Sequence, residues 1–243
     1  LRKYICSQFK PNVAKALYDL FKAKNIMDFS MGWGDRLAGF FASQNTELYV
    51  GVDPRKENHP IYREQADYYE GQLTMFETMK KVDFYCEAAE DFYYDGYEDT
   101  FDIIFTSPPY FNVERYSHDD NQSWVRYKDI DNWNTQFLQK ALDNMLPTLR
   151  SGGKLCINIS DVYSPSAGKK AWSKICDPMN DFIQSYGGME YKGCIGMEMA
   201  KRPNSGGAGT AKDTKQYTEE SLQLAKETKN KRFCEPIWIW EKK

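Results

Sequence analysis

The sequence predicts an α/β protein built on one doubly wound, mostly parallel sheet of seven strands. Three observations carry that expectation. Short apolar runs alternate with segments of helical periodicity, and such alternation implies parallel strands covered by helices on both faces. The unusual residues fall just after the apolar runs, where open α/β sheets bind their ligands. A length of 243 residues with 41% hydrophobic content suits one large core better than two, so residues 1–243 read as a single domain.

The first helix spans Val13–Phe21, where Val13, Leu17, Leu20 and Phe21 share a face. Asn25–Ser30 reads as the first strand, followed by a glycine turn and a helix from about Asp35 to Ser43. Glu47–Val52 is the second strand and ends at Asp53-Pro54. Val82–Cys86 is the third, and Phe101–Thr106 the fourth, stopped by Pro108-Pro109. A helix follows at Asn134–Leu146, with Phe137, Leu138, Ala141, Leu142 and Met145 on its apolar face. Lys154–Ser160 is the fifth strand, entered through Gly152-Gly153. Tyr191–Met199 and Pro236–Trp240 complete the seven, and a hairpin is one way to join them.

Composition removes several classes of function. Aromatic residues make up 15% of the chain, too many for a disordered protein. No run of about 18 apolar residues exists, so no membrane span or membrane partner is expected. No secretory pattern opens the chain, and Leu1 in place of Met leaves open that something upstream was removed. The six cysteines lie at 6, 86, 156, 176, 194 and 234, and the only histidines are His59 and His118. Without a closely spaced cysteine pair no metal site is expected. Scattered cysteines read as reduced, mostly buried thiols and a cytoplasmic location. The net charge of −3 gives no general basic face, so contact with nucleic acid must be local. Lys201 to Arg232 carries a local excess of positive charge, which a solvated loop explains equally well.

Two motifs carry chemistry. Asp28-Phe29-Ser30-Met31-Gly32-Trp33-Gly34 is a D-x-x-x-G-x-G turn between strand and helix. Its glycines permit positive φ and close approach of the backbone to a ligand, and the helix that follows offers free N–H groups. Asp53 lies nineteen residues beyond Gly34 at the tip of the second strand, where an acid suits the two hydroxyls of a ribose. This pair fits NAD, FAD or S-adenosylmethionine, and a tight turn with a capping aspartate looks the same. The second motif is Ser107-Pro108-Pro109-Tyr110. The prolines stiffen the backbone, so that the Ser107 side chain and the Pro108 carbonyl are fixed acceptors beside an aromatic plate, Tyr110. That arrangement suits methylation of an exocyclic amine, whose lone pair is delocalised into its ring. Two acceptors on the N–H bonds favour a pyramidal nitrogen aimed at the methyl donor. Tyr110 would stack on a base taken out of any duplex. Methylation at carbon-5 of cytosine needs a cysteine nucleophile placed after a proline, and none of the six follows a proline.

With both motifs in view, the chain resembles the S-adenosylmethionine-dependent amino-methyltransferases of DNA, whose catalytic motif is (Asn/Asp/Ser)-Pro-Pro-(Tyr/Phe). The resemblance covers nearly the whole chain and implies a Rossmann-like methyltransferase sheet with S-adenosylmethionine as cofactor. It implies cofactor contacts from Asp28, Ser30, Gly32, Trp33 and Gly34, and from Phe9 and Pro11, which resemble the family's entry motif. Asp53 matches its ribose-binding acid. Glu87 and Asp91 are the candidates for the adenine amine, and either is alternatively a helix cap. The order of motifs is similar to that of the family's gamma group.

The chain departs from the family twice. The stretch after the catalytic half, about Tyr186 to Arg232, is too short for a target-recognition domain, which counts against sequence-specific duplex recognition and leaves a separate recognition subunit or a homo-oligomer open. Serine at 107 resembles the cytosine branch more than the adenine branch. The expected function is therefore methyl transfer to an exocyclic amine of DNA, cytosine N4 ahead of adenine N6, on a single strand or a flipped base. Residues 111–134 and 200–232 are the expected substrate-facing segments, although an insertion packed on the core and a surface loop fit them as well. An RNA methyltransferase, a nicotinamide-dependent oxidoreductase and a non-catalytic subunit remain as rivals.

Overall fold

The computed structural model of the chain describes residues 9–73, 79–111, 115–166, 169–199 and 233–243. Its strands are β1 (Asn25–Asp28), β2 (Leu48–Val52), β3 (Lys81–Tyr85), β4 (Phe101–Thr106), β5 (Leu149–Asn158), β6 (Val162–Ser166), β7 (Lys169–Ser173), β8 (Met189–Met199) and β9 (Phe233–Lys242). Seven of them form one sheet in the order β3-β2-β1-β4-β5-β9-β8. The first five run parallel, and β9 pairs antiparallel with both β5 and β8. The two late strands thus pair as a hairpin, and the expected sheet is present. Strand order reverses between β1 and β4, the place where such sheets open a crevice for ligands.

Alternate residues feed the two faces, as the pleat requires. Met27, Ile104, Leu155, Ile157, Trp238 and Trp240 pack on one side, while Ile26, Ile103, Phe105, Cys156, Ile237 and Ile239 pack on the other. The second face is covered by α1 (Pro11–Leu20), α2 (Asp35–Ala42) and α3 (Asn58–Glu70), through Leu17, Tyr18, Leu37, Phe40 and Tyr62. The short helices α4 (Ser123–Arg126) and α5 (Ile130–Asn132) lead into the π-helical turns Trp133–Gln139, which cover the first face together with α6 (Lys140–Met145) and α7 (Cys176–Tyr186). Both buried indoles on β9 find partners: Trp238 Nε1 donates to Ile159 O at 2.9 Å and Trp240 Nε1 to Asn180 Oδ1 at 2.9 Å.

The structure corrects two sequence readings and adds one strand pair. Gly152-Gly153 lies inside β5, in a bulge whose register jumps from Phe101↔Leu149 to Ile103↔Lys154. The helix read at Asn134–Leu146 begins earlier, at α5 (Ile130–Asn132), and passes through π-turns, which widen the helix so that Trp133 and Phe137 both reach the core. The β6–β7 pair has no counterpart in the sequence reading, and of the described cysteines Cys156, Cys176 and Cys234 are buried, Cys194 is half-buried and Cys86 is exposed. Among the described residues, no helix is long and apolar enough to cross a membrane.

Candidate active site

The glycine turn is held from beneath by a buried ion pair. Asp28, at the end of β1, accepts from Arg36 Nε at 2.8 Å, from Arg36 Nη2 at 3.2 Å, from the Tyr49 hydroxyl at 2.7 Å and from Ser30 N–H at 3.2 Å. Arg36 also donates to the Ser30 carbonyl. Burial alone would lower the Arg36 guanidinium, but Asp28 beside it more than reverses this, and burial drives the Tyr49 phenol well up. Asp28 is therefore fully engaged below the turn and lines neither cavity described below. Above it, Gly32 and Gly34 have φ of +60° and +80°, which only glycine adopts without strain. A Cβ on Gly34 would also meet Gln65 Oε1 at 2.2 Å.

Gly32 N–H donates to Asp53 Oδ2 at 3.0 Å, and Arg55 N–H donates to Asp53 Oδ1 at 2.9 Å. The Gly32 carbonyl accepts from Asn58 Nδ2 at 2.8 Å and from the Tyr62 hydroxyl at 2.6 Å. Asp53 is 7% exposed. Burial pushes its carboxyl up to about 6, against the pull of the Arg55 and Gly32 amides. Among the described residues no side-chain cation is bonded to it, and it lines the first of the cavities described below.

Beyond β3, the two expected acids turn away. Glu87 is exposed, and Asp91 is taken up by Arg126 and Lys140. The acid on the cavity wall is Glu90, 1% exposed, bonded by Arg126 Nη1 at 3.0 Å and by the Tyr127 hydroxyl at 3.1 Å. The segment from Arg115 to Lys128 folds over this end as a strap, with Asn121 Nδ2 on Pro54 O at 2.9 Å. Within the strap, Trp124 lies under Arg115 and Lys128, and beyond it Trp133 is buried in the core. Of Tyr116, Trp124, Tyr127 and Trp133, the aromatic residues of the expected substrate-facing segment 111–134, only Tyr116 lines the cavities. Residues 112–114 and 200–232 lie outside the described residues.

Ser107 and Tyr110 stand at the carboxyl end of β4. Ser107 Oγ donates to Asn158 Oδ1 at 3.3 Å, and Asn158 Nδ2 donates to Pro236 O at 3.0 Å. The carbonyl at Pro236 needs a donor, which fixes which end of the amide faces Ser107. The Tyr110 hydroxyl donates to Glu235 Oε2 at 3.4 Å. Phe111, at φ +47°, closes the corner with its N–H on Pro109 O at 3.0 Å.

Two adjoining cavities meet here, of about 550 and 460 Å³. The first runs from Asp53 and Gly32 past Ala88 and Glu90 to Ser107 and Pro109. The second runs from Phe9 and Trp33 to Ser107, Tyr110, Asn158 and Glu235. They share Ser30, Gly32, Ser107 and Tyr116. The structure thus brings together Phe9, Ser30, Gly32, Trp33, Asp53, Ser107, Pro109 and Tyr110. Pro11, Asp28, Gly34, Glu87, Asp91 and Pro108 stand behind or away from the walls. Sequence reading missed Asn158, Glu90 and Glu235. Asn158 and Glu90 follow β5 and β3 and obey the strand-end rule, whereas nothing local marks Glu235.

S-adenosylmethionine fits this donor set: a turn with backbone open to the cavity, a buried carboxylate with acceptor capacity, and a space of the size that small-molecule sites have. Solved structures share the fold. The StiE O-MT (residues 942–1257) is 12% identical with a TM-score of 0.52, over 95% of this chain and 72% of that one. TrmN from Thermus thermophilus is 14% identical with a TM-score of 0.51, over 96% and 49%. The [4+2]-cyclase SpnF is 13% identical with a TM-score of 0.52, over 95% and 81%. Identities this low show the fold alone, and the cyclase demonstrates that this fold does not fix a chemistry. No curated protein matches the chain in sequence. The model of the DNA methylase family, of N6/N4 type, matches residues 101–243, more than half the chain and inclusive of the whole Ser107–Tyr110 corner. On that match the chain belongs to the N6/N4 DNA methylase family, an S-adenosylmethionine-dependent methyltransferase that acts on an exocyclic amine.

Proposed function

We propose that this chain, as one methyltransferase domain, methylates the exocyclic amine of a base in DNA, with cytosine N4 preferred to adenine N6. The observation that carries the reading is Ser107, which stands on the shared wall of both cavities with its hydroxyl proton turned to Asn158. Serine in this position resembles the cytosine branch of the family.

A hydroxyl both donates and accepts. Because Asn158 takes the Ser107 proton, the oxygen's lone pairs are left for a substrate N–H. The family's motif implies the Pro108 carbonyl as a second acceptor, but Pro108 lines neither cavity, so Ser107 carries the grip that draws the amine towards a pyramidal shape. Tyr110 stacks on the base, and Glu235 on its hydroxyl sets the angle of that plate. Asp53 accepts the ribose hydroxyls, and Gly32 keeps backbone rather than side chain against the ligand. S-adenosylmethionine, when bound, supplies a methyl group on a positively charged sulfur. The deciding experiment incubates the protein with the methyl donor and separate DNA and RNA pools, then identifies methylated nucleosides by mass spectrometry. N4-methyldeoxycytidine is expected; a methylated ribonucleoside, or no product from either pool, would overturn the reading.

Two variants test the parts. Asp53 binds a proton in the folded protein up to about pH 6, well above the usual carboxylate value. Its anionic form, the better acceptor, is thus lost as the pH falls through 6. Cofactor affinity at pH 5 is expected to be on the order of tenfold weaker than at pH 7, and Asp53→Asn should flatten that profile in calorimetric titration. A hydrogen bond between neutral groups contributes about 1 kcal/mol, so Asn158→Ala should lower kcat on the order of fivefold to tenfold with cofactor affinity preserved. Aspartate at 107 accepts without help. In a Ser107→Asp background the same alanine substitution should therefore cost much less, which a mere folding role for Asn158 would not produce.

A further inference from the structure

Trp33 occupies the middle of the glycine turn and remains 39% exposed. The positive φ values on either side of it, at Gly32 and Gly34, push this residue out from the turn. Arg55 lies over the indole at 5.2 Å, and the Tyr116 ring stands 6.3 Å away, tilted by 56°. The three residues come from three places: the β1–α2 turn, the loop after β2, and the strap. Trp33 lines the cavity that holds Ser107 and Tyr110, not the one that holds Asp53. Arg55 lines the other, and Tyr116 lines both, so the group stands on the rim where the two join.

We infer that Trp33 is a stacking platform for the nucleotide next to the methylated base. The inference rests on the amine-methylation reading of the Ser107–Tyr110 corner. An indole kept partly wet beside a guanidinium offers a π-face, and every base has one, so stacking there is sequence-tolerant. Arg55 and the exposed Lys56 supply positive charge for the adjoining phosphate, with Glu57, 3.6 Å from Arg55, as the opposing charge on this rim. Within a duplex the flanking base is already stacked on both faces, so the platform favours a single strand. This role differs from the cofactor contact that the resemblance implies for Trp33.

The test compares wild type, Trp33→Ala and Trp33→Phe in three measurements. These are anisotropy binding of a labelled single-stranded oligodeoxynucleotide, calorimetric titration with S-adenosylmethionine, and methyl transfer to a short oligonucleotide and to the free nucleoside. Trp33→Ala is expected to weaken oligonucleotide binding and kcat/KM on the order of tenfold, with Trp33→Phe much closer to wild type. Cofactor affinity and nucleoside methylation should each fall much less than oligonucleotide binding does, so that the ratio of oligonucleotide to nucleoside kcat/KM drops in Trp33→Ala and is largely restored in Trp33→Phe. Loss of cofactor affinity in step with oligonucleotide affinity would overturn the inference, because Trp33 would then serve the cofactor. Unchanged binding in Trp33→Ala, or no binding by wild type, would overturn it too. A wild type that binds the oligonucleotide but methylates nothing refutes the amine-methylation reading alone, and the binding comparison still decides the platform.

Discussion

Tyr110→Ala is expected to remove methyl transfer almost entirely, by roughly two to three orders of magnitude in kcat/KM, with cofactor affinity within a few-fold of wild type. The asymmetry follows from position. Tyr110 lines the cavity with Asn158 and Glu235 but not the one with Asp53. A stacked base loses about 1–3 kcal/mol when its aromatic partner becomes alanine. The amine then drifts from the Ser107 acceptor, and small misplacements of a reacting atom alone cost on the order of a hundredfold. Tyr110→Phe keeps the plate and deletes only the long bond to Glu235, so it should retain most of the activity. Steady-state methyl transfer and calorimetric titration with S-adenosylmethionine, on the same preparations, separate the outcomes. Equal loss in both would make Tyr110 a structural residue of the corner.

The parts of this site that sequence made legible are those governed by local chemistry. Positive φ at Gly32 and Gly34, the proline stop after β4 and an acid at the tip of β2 each leave a mark within a few residues. The sheet was legible for the same reason, since period-two burial from Ile26 to Trp240 writes itself as short apolar runs. What stayed hidden depends on distance. Asn158 is 51 residues from Ser107 and Glu235 is 125 from Tyr110, and only the order β4-β5-β9 brings them together. Glu87 and Asp91 are the sequence candidates after β3, whereas the acid on the wall is Glu90, and its partners Arg126 and Tyr127 come from a strap 36 and 37 residues away. Asp28 is the opposite case. The motif marks it as special, and in the structure Arg36, Tyr49 and Ser30 take up its carboxylate, which lines neither cavity.

That reassignment carries the second large prediction. Arg36→Ala would leave the Asp28 carboxylate, itself fully buried, without its compensating charge. Removal of one partner of a buried ion pair typically costs about 3–5 kcal/mol, and at this chain length each kcal/mol lowers Tm by roughly 2–4 °C. A fall in Tm on the order of 10 °C is expected in thermal denaturation. Asp28→Asn added to Arg36→Ala removes the stranded charge and should recover a large part of that loss, because the Tyr49 hydroxyl can still donate to the amide oxygen. Cofactor affinity, measured well below the transition, should fall less in the double variant than in Arg36→Ala, since Ser30 and Gly32 are displaced chiefly by the unpaired charge beneath them. A carboxylate that touched the cofactor directly would behave otherwise: Asp28→Asn would then abolish affinity in any background, however well the fold recovered.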